Sequence, residues 1–305
     1  MEKTRLVIVS GPTASGKTSL AVELALLFNG EIISADSMQV YKLMDIGTAK
    51  PTLEERKGVA HHLIDVVYPD EEYTAARFKM EAANKIKEIA GRGRTVFIAG
   101  GTGLYMKVLT QGLFKGPEAN PQLRQELLAI ASDKGKEALH EMLKKIDPEG
   151  ALRIHPNNLN RVIRAIEVFE LAGKPISCLQ KEHSFSETPY ECFKIGLDIE
   201  REALYGAIDC RVDRMVSAGL LEETRAFADM GYGYDLKPML GLGYKEMSGV
   251  IKGSRTLEEA VELIKRNTRH YAKRQLTWFR KDTAIKWFNP SEKKNILDAA
   301  GRFLS

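Results

Sequence analysis

Runs of apolar, often β-branched residues recur along the chain and alternate with segments whose apolar positions return at helical spacing. The runs at 6–10, 31–35, 62–67, 95–99 and 193–198 read as strands, apolar nearly throughout. Between the first four lie stretches with helical character, among them 18–28 and 75–90. Strands apolar on both faces and alternating with helices predict a parallel sheet covered on both sides. Ligands of such sheets sit at the carboxyl ends of the strands. That rule puts three short sequences on one rim: residues 11–18, Asp36-Ser37-Met38-Gln39, and Gly100-Gly101-Thr102-Gly103.

From about 117 to 189 the texture changes. Leu123, Leu127 and Ile130 have helical spacing, as do Leu139, Leu143 and Ile146, and a third helix fits Leu159, Val162, Ile163 and Ile166. Asp147-Pro148, His155-Pro156 and Lys174-Pro175 punctuate these helices. The remainder reads as helices at 202–218, 220–230 and 257–279, then a short strand at 284–288. The expected architecture is an α/β phosphate-loop fold of the P-loop NTPase type, a parallel sheet flanked by helices. Residues 1–116 and 190–305 would form this core, and 117–189 an all-helical insertion.

Composition narrows the class only a little. At 305 residues, 44% hydrophobic, 28% charged and net charge +4, the chain reads as a folded, mildly basic protein. No apolar run approaches membrane-spanning length, and the N-terminal one leads into a glycine-rich loop rather than a cleavage site, so cytoplasm is the expected location. Cys178, Cys192 and Cys210 are too scattered for a disulfide framework or a metal pair and read as buried free thiols.

The candidate chemistry begins at Gly11-Pro12-Thr13-Ala14-Ser15-Gly16-Lys17-Thr18, which fits the phosphate-binding loop pattern between a strand and a helix. Its glycines let backbone amides turn toward an anion and the helix N-terminus adds its dipole. Lys17 supplies charge to phosphate oxygens, and Thr18 is placed to ligate Mg²⁺. Asp36 reads as a partner of the Mg²⁺ hydration sphere, as a general base, or as a turn aspartate. Thr102 offers a hydroxyl in a turn of glycines. Arg161 and Arg164 sit at i and i+3 on one helix face, either paired on the surface with Glu167 or positioned for phosphates. From 265 to 286 there are eight Lys or Arg residues and one acid, with Tyr271, Trp278 and Phe279 interleaved, a pattern that favours a polyanion. Arg266, Arg269, Lys273 and Arg280 fall near one face of that helix. Arg211 and Arg214 either reach a diphosphate or pair with Asp209 and Asp213.

These motifs together resemble the tRNA dimethylallyltransferase (tRNA isopentenyltransferase) family. The resemblance rests on the phosphate loop, Ser34-Ala-Asp-Ser-Met-Gln-Val-Tyr41, Asp45-Ile-Gly-Thr-Ala-Lys-Pro51 and Ala99-Gly-Gly-Thr-Gly-Leu-Tyr105. It continues through Asn160-Arg-Val-Ile-Arg-Ala165, Leu240-Gly-Leu-Gly-Tyr-Lys-Glu246 and Thr268-Arg-His-Tyr-Ala-Lys-Arg-Gln-Leu-Thr-Trp-Phe-Arg280. It implies that the loop holds dimethylallyl diphosphate, whose five-carbon group passes to N6 of adenosine 37 in the anticodon stem-loop of tRNA. Diphosphate leaves with the help of Mg²⁺.

By the same resemblance, residues 11–18 and Arg211 bind the diphosphate, Asp36 takes the proton from the amine, and Lys17 and Thr102 complete the catalytic set. Asp36, Ser37, Met38, Gln39, Thr102, Arg124, Asn160, Arg161, Val162, Ile163, Arg164, Arg269 and Lys273 are the implied tRNA contacts. The target base would be flipped from its stack. Asn160 departs from the expected Gln, and the zinc-finger extension of eukaryotic relatives is absent, which points to the bacterial type. One asymmetric stem-loop requires only a monomer. The competing readings are an ATP-dependent P-loop kinase, a prenyltransferase acting on free adenine nucleotides, and a non-catalytic, nucleotide-gated RNA-binding protein.

Overall fold

The computed structural model describes residues 3–114, 116–184 and 187–305, so residues 185 and 186 of the expected insertion lie outside the described part. The chain divides into two compact units, Met1–Thr110 with Thr188–Ser305, and Gln111–Glu187. The first half of the larger unit runs β1 (Thr4–Ser10), α1 (Lys17–Leu27), β2 (Gly30–Ser34), α2 (Leu53–Arg56), β3 (His61–His62), α3 (Ala75–Gly91), β4 (Thr95–Gly100) and α4 (Gly103–Gln111). The smaller unit holds α5 (Pro121–Lys134), α6 (Lys136–Ile146), α7 (Pro148–Arg153), α8 (Leu159–Ala172) and α9 (Ile176–His183). The larger then resumes with β5 (Tyr190–Leu197), α10 (Arg201–Ser217), α11 (Leu220–Asp229), α12 (Tyr244–Ile251), α13 (Leu257–Phe279), β6 (Ile285–Phe288) and α14 (Lys293–Leu304).

The six strands are all parallel in the order β3-β2-β4-β1-β5-β6. β1 is central because it is apolar on both faces: Leu6, Val7, Ile8 and Val9 are all buried. Its register sets Ser10 beside Gly100 of β4 and Gly196 of β5, so the turns that leave these strands emerge on one rim. Gly100 is obligatory there, since a Cβ would lie 2.2 Å from the Ala35 carbonyl oxygen. Ala35 N–H donates to Ala99 O and Thr102 N–H donates to Ala35 O, so the turns after β2 and β4 are stitched together.

The third expected strand is the main departure. The ladder closes after His61–His62 because Leu63 (φ 60°) and Asp65 (φ 58°) take left-handed backbone conformations that end an extended run. Val67 returns only as a single bridge to Tyr41. Helix α13, 23 residues without Gly or Pro, starts at a reciprocal cap: Glu259 N–H donates to Thr256 Oγ1, and Thr256 N–H to Glu259 Oε2. Ala260, Ile264, Ala272, Gln275 and Phe279 are the buried positions of the helix.

The smaller unit has its own core, including Leu127, Leu139, Leu143, Val162, Ile163 and Ile166. Buried Asp147 ties it together: Oδ1 accepts Gly150 N–H (2.8 Å) and Ser177 Oγ–H (2.6 Å), and Oδ2 accepts Ser177 N–H (3.0 Å). Among the described residues no helix is long and apolar enough to cross a membrane. Of the cysteines only Cys192 is partly covered; Cys178 and Cys210 are exposed, because they fall on the outer faces of α9 and α10. The expectation of three buried thiols is corrected accordingly.

Candidate active site

The phosphate loop lies between β1 and α1, with Ala14 (φ 62°) and Gly16 (φ 81°) in left-handed conformations that curl it. Gly16 is the N-cap of α1 and contributes no side-chain cap, so the first helical amides are left for an external acceptor. Ser15 Oγ is buried with no hydrogen-bond partner, an orphaned polar atom in the cradle. The Lys17 ammonium folds back to the Pro12 carbonyl at 3.0 Å, an internal substitute for an anion.

A cavity of about 500 Å³ opens beside this loop. Thr13, Lys17, Thr18, Asp36, Arg211 and Tyr271 contribute its polar wall, and Val212, Met215, Leu240, Leu242 and Ile264 an apolar one. Arg211 and Met215 are one turn apart on α10, and Ile264, Thr268, Tyr271 and Gln275 follow one stripe of α13. The structure does not show the alternative pairing of Arg211 with Asp209 or Asp213. Asp209 and Asp213 are occupied by Arg269 (2.7 Å) and Lys265 (2.7 Å) of α13, and Arg211 lines the cavity instead.

Asp36 closes a turn on itself. Its Oδ1 accepts Met38 N–H at 2.9 Å and Gln39 N–H at 3.3 Å, while Oδ2 takes no hydrogen bond among the described residues. Thr102 Oγ1 accepts Ser37 N–H at 2.9 Å, and its own hydroxyl reaches Ser37 Oγ at 3.3 Å. Burial pushes the Lys17 ammonium down to about 8, the nearby Arg211 charge adds to this, and Asp36 opposes it. Arg211 is lowered as well, chiefly by burial, with Asp36 again opposing. Two partly buried cations therefore share the field of one carboxylate, and the imbalance favours an anionic ligand. The Tyr271 hydroxyl is held protonated by burial and by the Asp36 charge.

Three side chains that sequence reasoning passed over hold this wall. Glu223 Oε2 accepts Asp45 N–H (2.9 Å) and Ile46 N–H (2.8 Å), and Oε1 accepts Gly47 N–H (3.0 Å) and Tyr244 Oη–H (2.6 Å). Gly47 is required under the Tyr244 ring, which would lie 2.4 Å from a Cβ. Gln275 bonds the Thr13 amide and the Gly101 carbonyl. A polar residue on the buried stripe of a helix was the available signal for Gln275, since a buried amide must find partners.

Other expected contact residues are already engaged. The Gln39 amide accepts from Ser34 Oγ (3.0 Å) and donates to Ala49 O (3.2 Å). Met38 packs on Gly241, its Cε 2.7 Å from where a Cβ would stand. Arg269 is held by Asp209, whereas Lys273 is exposed. In the smaller unit, Asn160 and Arg161 are exposed, but Val162 and Ile163 are buried in its core and their side chains serve packing rather than contact. Glu167 is fully buried, not a surface partner. It takes Arg124 in two bonds (2.8 and 3.0 Å), Arg164 Nη1 at 2.5 Å and the Asn120 amide at 2.8 Å. Both guanidinium groups are oriented by this carboxylate and remain partly exposed.

A strand, a glycine-rich cradle and a helix N-terminus beside a cavity lined by two partly buried cations define a phosphate-loop α/β protein. A carboxylate and an apolar wall share its cavity, a combination suited to a ligand with one anionic and one hydrocarbon end. The family model described as IPP transferase matches residues 39–282, and the chain belongs to that family. A tRNA dimethylallyltransferase of Geobacter metallireducens is 50% identical over 99% of this chain and 98% of its own length. The crystal structure of the full-length tRNA isopentenylpyrophosphate transferase of Bacillus halodurans is similar with a TM-score of 0.74 and 45% identity, covering 99% of this chain and 97% of that one. A eukaryotic dimethylallyltransferase caught acting on tRNA matches with a TM-score of 0.80 and 30% identity, over 94% of this chain and 74% of its own.

Proposed function

We propose that this protein transfers a dimethylallyl group from dimethylallyl diphosphate to N6 of adenosine 37 in tRNA. The observation that carries the reading is the placement of Lys17, Arg211 and Asp36 on one cavity with an apolar wall. The N6–C1 bond forms as the C1–O bond breaks, and the electron pair of that bond leaves on diphosphate. Lys17, Arg211 and the first amides of α1 stabilise the charge that accumulates there. Asp36 Oδ2 accepts the proton released by the amine, while Oδ1 keeps its own turn closed. Buried Val212 and Ile264, with half-buried Met215 and Leu242, give the alkyl group an apolar surface. Thr102 holds Ser37, and with it the turn that carries the base.

The donor set also fits Mg²⁺. Thr18 offers one hard oxygen, and no group of three His, Cys, Asp or Glu among the described residues could form an all-protein cage. Mg²⁺ commonly keeps its waters and takes substrate phosphates with few protein ligands. When bound, it would neutralise charge on the leaving diphosphate. A monomer in the cytoplasm, with tRNA as its macromolecular substrate, completes the reading.

The test couples the two products. With wild-type protein, Mg²⁺, dimethylallyl diphosphate and an anticodon stem-loop carrying adenosines at 36 and 37, diphosphate release should match RNA alkylation one for one. Release without alkylation, or alkylation that requires ATP, contradicts the proposal.

Two further results follow from the site. Lys17 binds an anion in its charged form, and in the free protein that form is lost as pH rises through about 8. Inorganic pyrophosphate affinity should therefore weaken about tenfold per pH unit above 8. Calorimetry in buffers of different ionisation enthalpy should show more proton uptake on binding at pH 9 by wild type than by Lys17→Met, a comparison in which pyrophosphate's own ionisation cancels. In the smaller unit, exposed Arg161 suits an RNA phosphate, so Arg161→Ala should weaken stem-loop binding and reduce its salt slope by about one. An unchanged slope would remove Arg161 from the contact set.

A further inference from the structure

The Gln275 carboxamide is buried, on α13, and both of its ends are used. Its Oε1 accepts the Thr13 N–H of the phosphate loop at 2.8 Å. Its Nε2 donates to the Gly101 carbonyl, in the turn after β4, at 2.9 Å. The Tyr271 hydroxyl, one turn earlier on the same helix face, also interacts with it. Gly101 is shaped for this contact: a Cβ there would lie 2.3 Å from Gln275 Nε2 and 3.8 Å from Lys17 Cε. The residue after Gly101 is Thr102, whose hydroxyl oxygen holds the amide of Ser37, the residue next to Asp36. One side chain thus ties the loop that faces the diphosphate to the turn that carries the base.

We infer that Gln275 is a positioning residue that sets the spacing between the leaving-group loop and the Asp36 turn, an inference that rests on the transfer reaction proposed above. The chemistry of the amide supports it. A group is needed that accepts at one end and donates at the other, and the Gln carboxamide does both while staying neutral at every working pH. Asn is one methylene too short for the same span, and ionised Glu lacks the donor. Helix α13 reaches both loops through this residue. Misplacing reacting groups by about 1 Å costs on the order of 10²-fold in rate.

The experiment compares Gln275→Ala, Gln275→Glu and wild type in full-length protein, well below each melting temperature. In Gln275→Ala, kcat should fall about 10²-fold, with stem-loop affinity within about twofold of wild type. Inorganic pyrophosphate, titrated with Mg²⁺, should bind several-fold more weakly to the variant. Gln275→Glu keeps the acceptor for Thr13 but sets a carboxylate oxygen against the Gly101 carbonyl. When protonated it regains an O–H donor, so its rate relative to wild type should rise as pH falls from 8 to 6, while the Gln275→Ala ratio stays flat. A residue that only maintained the fold would not give this pH-dependent recovery. A kcat within threefold of wild type in Gln275→Ala, a loss confined to RNA affinity, or a flat Gln275→Glu ratio overturns the inference. If wild type transfers no alkyl group the proposed reaction fails instead, and pyrophosphate affinity still decides the strap: an unchanged value in Gln275→Ala refutes it.

Discussion

Asp36→Asn should lower the rate of alkyl transfer about 10³-fold, within the range a positioned general base contributes. Asn is the informative replacement because of what Asp36 does structurally. Its Oδ1 accepts the Met38 and Gln39 amides, and an asparagine carbonyl can keep both bonds. What is lost is the basic oxygen on the cavity side. Stem-loop affinity should stay within about twofold. Pyrophosphate affinity should not fall, because the substitution removes a negative charge from the neighbourhood of Lys17 and Arg211. Asp36→Ala would mix loss of the base with loss of the turn, and should be the less active of the two. Single-turnover kinetics on the two variants separates these effects; a rate for Asp36→Asn within threefold of wild type would remove Asp36 as the base.

Lys17→Met should cost about 10²–10³-fold in transfer rate and should also make the ligand-free protein more stable. The first effect, in the proposed reaction, would be loss of a donor to charge that grows as the C1–O bond breaks. The second follows from linkage. The Lys17 ammonium is lowered from its ordinary value to about 8, so between about 8 and 10.5 the unfolded chain binds more protons than the folded one. Folded stability therefore rises with pH across that window, and below it the buried charge costs roughly 3 kcal/mol. Methionine fills a similar volume without the charge. Melting curves at pH 7 without ligand should show a higher Tm for Lys17→Met, and saturating pyrophosphate should reverse the order. A lower Tm in the absence of ligand would contradict the electrostatic account. Lys17→Arg should not rescue transfer, because a planar guanidinium cannot replace a point charge inside the loop.

Much of the α/β frame could be read from the chain because β1, β2 and β4 are largely apolar and end in Ser10, Ser34 and Gly100. The elements that escaped have weaker signatures. The stretch from His62 to Val67 looks extended by composition, yet Leu63 and Asp65 adopt left-handed backbone. Single-residue conformations of that kind carry no periodicity. Short helices such as α7, α9 and α12 span too few turns for a spacing pattern to stand out.

In the site, the phosphate loop announces itself because its glycines and Lys17 are adjacent in sequence. Glu223, Tyr244 and Gln275 act across 176, 21 and 262 residues of chain, distances at which a single sequence carries no pairing information. The run of glycines at 100, 101 and 103 was visible, but its reason was not. These positions make room for Ala35, Gln275 and Trp278 of the protein itself. The basic stripe of α13 was equally visible, and half of its story lay in the acids of α10 that neutralise Lys265 and Arg269.

The central claim is that the phosphate loop holds a leaving group rather than a group to be transferred. Mass spectrometry of the stem-loop after reaction with dimethylallyl diphosphate and Mg²⁺, followed by nucleoside digestion, tests it most directly. The account predicts one added dimethylallyl group per RNA, on the adenosine at position 37, with no phosphate gained by any product. Intact binding of the RNA with an unchanged mass, or phosphate transferred from a nucleotide to an acceptor, would contradict it.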